Sequence, residues 1–177
     1  MYGYDGGRSK SSIYRLFVIR SCCASYVFEG NLNKFTIADV NGKEVTQDIL
    51  KDYDITMVNI WTTWCGFCVE EMPALAELYN NLPENVNTIT ICGDASDEPE
   101  LTKEILDSVN AKFITLEGNK DLEKCLLDSV TAFPTTIFVD SKGNLVGTPQ
   151  VGAPGGEDEI VEGYTKLINK ALSKIGK

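Results

Sequence analysis

The sequence predicts an α/β domain: a central mixed β-sheet flanked by helices, with a β-hairpin extension at the N-terminal side. Three observations predict it. The apolar run Ile55-Thr56-Met57-Val58-Asn59-Ile60 leads into apolar residues at helical spacing, and a second strand-like run, Val86 to Ile91, follows, which is a β-α-β order. A later run, Thr135-Thr136-Ile137-Phe138-Val139, is joined through Asp140-Ser141-Lys142-Gly143-Asn144 to a stretch, Leu145 to Val151, that can pair back antiparallel. In the last segment Ile160, Val161, Tyr164, Leu167, Ile168, Ala171, Leu172 and Ile175 share one helical face.

Taken in order, residues 1–30 stand apart as a leader, a tag-like or an anchoring segment. Arg8, Lys10, Arg15 and Arg20 make that segment basic. Ile13 to Cys23 has the basic lead of an export leader, but its apolar core, Leu16 to Ile19, is shorter than the roughly 7–15 residues such leaders use. The domain is expected over residues 31–177. Phe35-Thr36-Ile37 alternates as a strand, Asn41-Gly42 signals a hairpin turn, and Val45 to Leu50 is the expected return. Ile55–Ile60 reads as a buried central strand. From Cys68 onward Met72, Leu75, Ala76, Leu78, Tyr79 and Leu82 recur at helical spacing, with Pro73 inside as an expected kink. After the Val86–Ile91 strand, Asp97 is expected to cap a helix with Pro99 in its first turn and Leu101, Ile105, Leu106 and Val109 on its apolar face. Phe113 to Leu116 reads as a short strand and Lys120 to Val130 as a helix.

Composition narrows the function. At 177 residues and 43% hydrophobic, the chain fits one domain with some extra length. A net charge of -10 argues against nucleic acid, whose phosphates need a basic surface. Histidine is absent, which removes His-based acid/base catalysis, Cys-His proteases and His-containing metal sites. No stretch reaches the roughly 20 apolar residues of a membrane-spanning helix.

Of the six cysteines, Cys22, Cys23, Cys65, Cys68, Cys92 and Cys125, only Cys65 and Cys68 have redox spacing. They sit in Trp61-Thr62-Thr63-Trp64-Cys65-Gly66-Phe67-Cys68, between a strand and a helix. Two thiols three apart at a helix start can close a small disulfide and reopen it. The helix N-terminus favours an anion and so lowers the pKa of the first thiol. Cys65 is therefore the expected attacking thiolate, and Cys68, one turn in, the resolving thiol. A static disulfide is the bland alternative. A zinc site is disfavoured because no second Cys-x-x-Cys exists, so no metal and no cofactor beyond the Cys65–Cys68 pair is expected. Cys92 and Cys125 are either a structural disulfide or free buried thiols, the latter being the default for cysteine. Trp61 reads as core. Trp64, beside Cys65, reads as a contact face.

Trp64-Cys65-Gly66-Phe67-Cys68 with Pro73 on the same helix resembles the thioredoxin active-site turn and its kinking proline. Ala132-Phe133-Pro134-Thr135-Thr136 resembles the loop bearing that fold's cis-proline. Val58-Asn59-Ile60-Trp61-Thr62-Thr63-Trp64-Cys65, followed by Glu70-Glu71-Met72-Pro73, resembles the bacterial TlpA/ResA-type thiol-disulfide oxidoreductases, which work outside the cytoplasm; the opening hairpin with Asp39-Val40-Asn41-Gly42-Lys43 is similar to that family's as well. The resemblance covers about residues 31–175 and implies a thioredoxin-like fold. Ordinary thioredoxin carries a buried Asp where this chain has Asn59; the TlpA/ResA-type group commonly has Asn there and a Glu on the active-site helix, which Glu71 matches. Phe67 stands where proline is common, and residues between the cysteines tune the redox potential.

The resemblance implies a disulfide reductase of exported proteins, apocytochrome c among them, re-reduced by a membrane electron donor of the CcdA/DsbD type. The chain is expected to act as a monomer, outside the cytoplasm, held by lipid or membrane through the leader if that leader works. Glu71, three residues after Cys68 and so near the same helix face, can accept the Cys68 proton if burial raises its pKa. Pro134, in cis, would open the Phe133 backbone beside Cys65 to an extended substrate, with Trp64, Gly66, Phe67, Phe133, Pro134 and Thr135 as the substrate contacts. The rivals are a DsbA-like oxidase, a peroxiredoxin-like peroxidase, a copper carrier and a redox-inert interaction module. The peroxidase wants Pro-x-x-x-Thr-x-x-Cys, and here Thr62 fits while Val58 occupies the proline position. Without histidine the copper carrier is poor.

Overall fold

A computed structural model describes residues 31–119, 122, 126 and 129–177. The leader, with Cys22 and Cys23, lies outside the described residues, as does Cys125. Two sheets form. A small antiparallel pair joins β1 (Thr36–Ala38) to β2 (Glu44–Thr46). A five-stranded mixed sheet runs in the order β5 (Ile114–Glu117), β4 (Val86–Cys92), β3 (Ile55–Trp61), β6 (Thr135–Asp140), β7 (Gln150–Val151). β3, β4 and β5 are parallel, while β6 and β7 are each antiparallel to their inner neighbour. The parallel strands are linked through α1 (Gly66–Asn80) and α2 (Pro99–Ser108), and α3 (Ile160–Lys174) ends the described chain.

β3 and β4 are buried at every residue, as strands covered on both faces must be. Side chains alternate along a strand, so the two faces of β3 meet different cores. Ile55, Met57 and Trp61 face α1, α2 and α3, joining Met72, Leu75, Ile105, Tyr164 and Ile168. Val58 and Ile60 face the opposite core, with Ile89, Ile91 and Ile137 and the N-terminal residues Leu32, Phe35, Ile37, Val45 and Leu50. The hairpin therefore covers the sheet face that the three helices leave open. Asn59 shares the parity of Met57 and Trp61 and is carried to the helix side.

Several expected elements are displaced, each for a local reason. Only Glu44–Thr46 of the expected Val45–Leu50 return is strand; Gln47–Leu50 is a 3-10 turn started by Thr46, whose hydroxyl accepts the Asp48 N–H at 3.3 Å. Asp97 does not cap α2. The helix begins at Pro99 with Glu98 in the capping position and no side-chain cap. Its buried stripe is Thr102, Ile105 and Leu106, while Leu101 is 39% exposed. The Thr102 hydroxyl is satisfied by the Glu98 carbonyl at 2.8 Å, which lets a polar residue occupy the buried position. α1 continues through Pro73 as one helix. The expected Lys120–Val130 helix lies mostly outside the described residues; its Leu122 and Leu126 are buried and joined by a backbone bond of 2.8 Å. The Leu145–Val151 return is reduced to a bridge at Val139–Leu145 and the two residues of β7.

Gly143 locks the hairpin side to the sheet. Its carbonyl accepts the Leu32 N–H at 2.8 Å, its φ is +80°, and a Cβ there would strike the Leu32 carbonyl. Gly143→Ala meets both the left-handed backbone penalty and a backbone collision. We expect it to lower unfolding stability by about 2 kcal/mol or more, read as a lower midpoint in urea with unchanged slope.

Candidate active site

Parallel strands deliver their carboxyl ends to one edge of the sheet, and the loop leaving β3 places Thr62 to Cys65 there. Cys65 is extended (φ -85°, ψ 99°) and caps α1, its sulfur accepting the Cys68 N–H at 3.3 Å. Cys65 and Cys68 form a disulfide with their Cα atoms 5.2 Å apart. Cys68 has no exposed surface and Cys65 is 7% exposed, so the first sulfur is the reachable one, although it is more covered than the sequence suggests. A helix N–H directed at Cys65 stabilises a thiolate there once the disulfide opens.

The loop ahead of Cys65 is held by Asp94, just beyond β4. Its carboxylate accepts the Thr63 N–H at 2.9 Å and the Thr63 hydroxyl at 2.6 Å. Burial pulls the Asp94 carboxyl up, but these bonds outweigh it and hold the group below its ordinary value. Cys92 is a free, buried thiol that donates to Asp94 at 3.3 Å. Cys92 thus takes the free, buried option, while Cys125 lies outside the described residues; β4 turns the Cys92 thiol into the helix-side core, where Asp94 and the Thr102 hydroxyl are its polar neighbours. Burial first, and Asp94 next to it, push the Cys92 thiol up to about 12, so it stays protonated and unreactive at neutral pH.

Beneath the disulfide lies a buried polar cluster. Glu71, on α1 one turn past Cys68, has no exposed surface. Its Oε1 accepts from Asn59 Nδ2 at 2.7 Å and its Oε2 from the Tyr164 hydroxyl at 3.0 Å. Asn59 Nδ2 also lies 3.1 Å from Thr136 Oγ1, and the Thr136 and Tyr164 hydroxyls are 3.2 Å apart. The sheet register explains the meeting: Asn59 stands opposite Thr136 across β3 and β6, so both point to the helix side. Desolvation raises the Glu71 pKa, and the bonds from Asn59 and Tyr164 offset only part of that. A carboxyl raised in this way is a better proton acceptor than an ordinary Glu side chain.

The surface around the disulfide is aromatic. Trp64 is 71% and Phe67 75% exposed. Trp64 meets Phe133 edge to face, with ring centroids 5.7 Å apart. The Phe133–Pro134 bond is cis. A groove of about 660 Å³ runs from Phe67 and Phe133 past Pro134 to Gly152 and Ala153, rimmed by Glu70 and Glu157 and floored by Glu71. Gly66 is exposed at the start of α1. The Thr135 side chain is buried in β6, with its hydroxyl donated to the Ala132 carbonyl at 2.7 Å. Trp61 is buried core, as expected. Tyr164, Thr136 and Asp94 belong to the site although the sequence did not single them out. Tyr164 has the periodicity of a core residue, and only the fold reveals what its hydroxyl meets. Among the described residues no cluster of three metal-ligating side chains occurs.

Residues 29–165 match the Redoxin family. "Thiol-disulfide oxidoreductase ResA" of Bacillus cereus is 30% identical over 134 residues, covering 76% of this chain and 74% of that protein. Among solved structures, a thioredoxin-family thiol:disulfide interchange protein of Chlorobium tepidum TLS superposes with a TM-score of 0.65 at 19% identity, over 81% of this chain and 94% of the other. The exposed lipoprotein thioredoxin Etrx1 of Streptococcus pneumoniae strain TIGR4 gives 0.60 at 17% identity, over 77% and 98%. These structures share the thioredoxin-like fold.

The buried Glu71 makes stability depend on pH. Its folded pKa is raised above the ordinary 4.5, so the unfolded chain releases this proton first and the folded state loses stability as pH rises from 4.5 to the folded value. In Glu71→Gln the amide can accept from Asn59 and donate to Tyr164. We expect its stability relative to wild type to grow as pH rises through that window and then level off, measured by urea unfolding at a series of pH values; a constant difference would contradict a raised Glu71.

Proposed function

The chain belongs to the Redoxin family and is a ResA-type thiol-disulfide oxidoreductase, and from that premise we propose that it works as a reductant of disulfides in exported proteins. The carrying observation is the pairing of a helix-capping, reachable Cys65 with a buried Cys68 that has a buried carboxyl, Glu71, one turn away.

In the proposed cycle the Cys65 thiolate attacks a substrate disulfide, forms a mixed disulfide and expels the first substrate thiolate. The Cys68 thiol gives its proton to Glu71, and its sulfur attacks Cys65. The Cys65–Cys68 disulfide closes, the second substrate thiolate leaves, and Glu71 holds the proton. Two electrons pass from the dithiol to the substrate; the next reduction returns two electrons to the disulfide, and Glu71 gives its proton back to Cys68. The separate environments suit these roles: helix N–H groups stabilise the Cys65 anion, and the shielded Cys68 needs a base beside it.

Trp64, Phe67, Phe133 and Pro134 form the proposed substrate platform, with an extended segment lying along the groove. A reductase working outside the cytoplasm needs electrons carried across the membrane, so a donor of the CcdA/DsbD type is the proposed source. The extracytoplasmic setting accords with the likeness to Etrx1, an exposed lipoprotein. No helix among the described residues is long and apolar enough to cross a membrane. The protein is proposed to act as a monomer, with apocytochrome c in its substrate class.

The test is a trapping experiment with the full chain. Reduced Cys68→Ser is expected to accumulate mixed disulfides with exported proteins on non-reducing gels, and Cys65→Ser to accumulate none. A wild-type potential nearer thioredoxin's, about -270 mV, than DsbA's, about -120 mV, is expected from redox equilibration. A value near DsbA's would assign the opposite direction of exchange.

A further inference from the structure

The cluster around Glu71 contains one partner whose hydrogen bond can reverse. Asn59 reaches Glu71 Oε1 through its amide nitrogen at 2.7 Å, and that nitrogen carries only donors. In this amide orientation Oε1 accepts from Asn59, whose Nδ2 also lies 3.3 Å from the Tyr164 hydroxyl, and Oε2 is the oxygen left to carry a proton. Glu71 Oε2 faces the Tyr164 hydroxyl at 3.0 Å. A phenol can donate or accept by rotating one proton. When Tyr164 turns its proton away from Glu71, the Thr136 Oγ1 lies 3.2 Å off to receive it. Asn59, Glu71, Thr136 and Tyr164 are all fully buried, which makes an unpaired donor costly.

We propose that Tyr164 is the positioning residue for the proton on Glu71: its hydroxyl donates to Oε2 of the carboxylate, and when Oε2 carries the acid proton the phenol accepts from it and turns its own O–H to donate to Thr136 Oγ1. This rests on the reading of Glu71 as the base for Cys68. The proton taken from Cys68 then resides on Oε2, away from Asn59. Cys68 thiol plus Glu71 carboxylate becomes Cys68 thiolate plus Glu71 acid, and Tyr164 answers the change by turning its O–H from Oε2 to Thr136 Oγ1. Tyr164 never ionises in this scheme: burial and the neighbouring Glu71 push its own pKa well above the ordinary phenol range.

The groups facing Glu71 come from every element around it. They are Asn59 on β3, Thr136 on β6 and Tyr164 on α3; Cys68 precedes Glu71 by one turn of α1, and Glu70 and Glu157 are the other charged residues lining the groove. Among the described residues no Lys or Arg lines that groove, so none of them holds Glu71 in its charged form.

The two hydroxyls make opposite predictions. Tyr164→Phe removes a charge-assisted bond to the carboxylate and a weaker neutral one to the acid, so the acid gains. Thr136→Val leaves Tyr164 still donating to the carboxylate, but strands the phenol proton when Glu71 is an acid, so the carboxylate gains.

Single-turnover reaction of the reduced full chain with a chromogenic aromatic disulfide reads the step. A first phase reports Cys65 attack and a second reports resolution by Cys68. We expect the pH midpoint of the second phase to rise by about one unit, a tenfold change in proton affinity, in Tyr164→Phe. It should fall in Thr136→Val, with the first phase unmoved in both. An unshifted midpoint in Tyr164→Phe, or shifts of the same sign in the two variants, would overturn the inference. Glu71→Gln separates it from its premise. If that variant keeps the wild-type pH limb of the second phase, the reading of Glu71 as base fails; if it abolishes the limb while the hydroxyl variants leave it alone, only the role of Tyr164 fails.

Discussion

A carboxyl group with no exposed surface sits on the first turns of α1, and the hydrogen bond from Asn59 Nδ2 to Glu71 Oε1 makes that placement tolerable. Burying a charged or polar group without partners costs several kcal/mol, a large share of the stability of a small domain. Three elements converge to prevent this. β3 supplies Asn59 by its parity, β6 supplies Thr136 directly opposite, and α3 supplies Tyr164. Sheet and both helices are thereby tied at the same point, one turn of α1 beyond Cys68. Placing α1 in this way also fixes where its N-terminus points, and hence where Cys65 lies.

The two cysteines belong to different electrostatic settings although they are three residues apart. Cys65 caps α1, where free N–H groups favour a thiolate, and Asp94 anchors the preceding loop through Thr63. Cys68 lies inside, with no exposure and Glu71 on the following turn. One thiol is stabilised as an anion by backbone dipoles; the other depends on a neighbouring base. Cys92, on the same side of the sheet, shows the contrasting case: burial beside a carboxylate that accepts its proton keeps the thiol inert. Proximity to the site does not make a cysteine reactive; access and a stabilised anion do.

Much of the architecture was legible because it rests on periodicity. The buried runs 55–60, 86–91 and 135–139 and the stripe of the last helix each follow one geometric repeat, and all four appear in place. Cys65, Cys68 and Glu71 were legible because their relations are local, within two helical turns. Local competition displaced other elements: a Thr46 hydroxyl ends β2 early, and Pro99 sets the start of α2 one residue beyond where Asp97 could cap it. The partners of Glu71 were illegible for a different reason. Tyr164 lies 93 residues away and Thr136 touches Tyr164 across 28. An apolar stripe says that Tyr164 is buried but says nothing of what its hydroxyl meets. Asp94, 31 residues from Thr63, was hidden in the same way in an acidic loop.

The most direct measurement is the titration of the Glu71 side-chain carboxyl itself, followed by carbon-13 NMR with the signal assigned through Glu71→Gln, in the reduced and the oxidised full chain. We expect a midpoint above the ordinary 4.5 in the oxidised protein, displaced again when the Cys68 thiol is present to share the proton. A carboxyl titrating near 4.5 in both redox states would contradict Glu71 as the proton acceptor for Cys68.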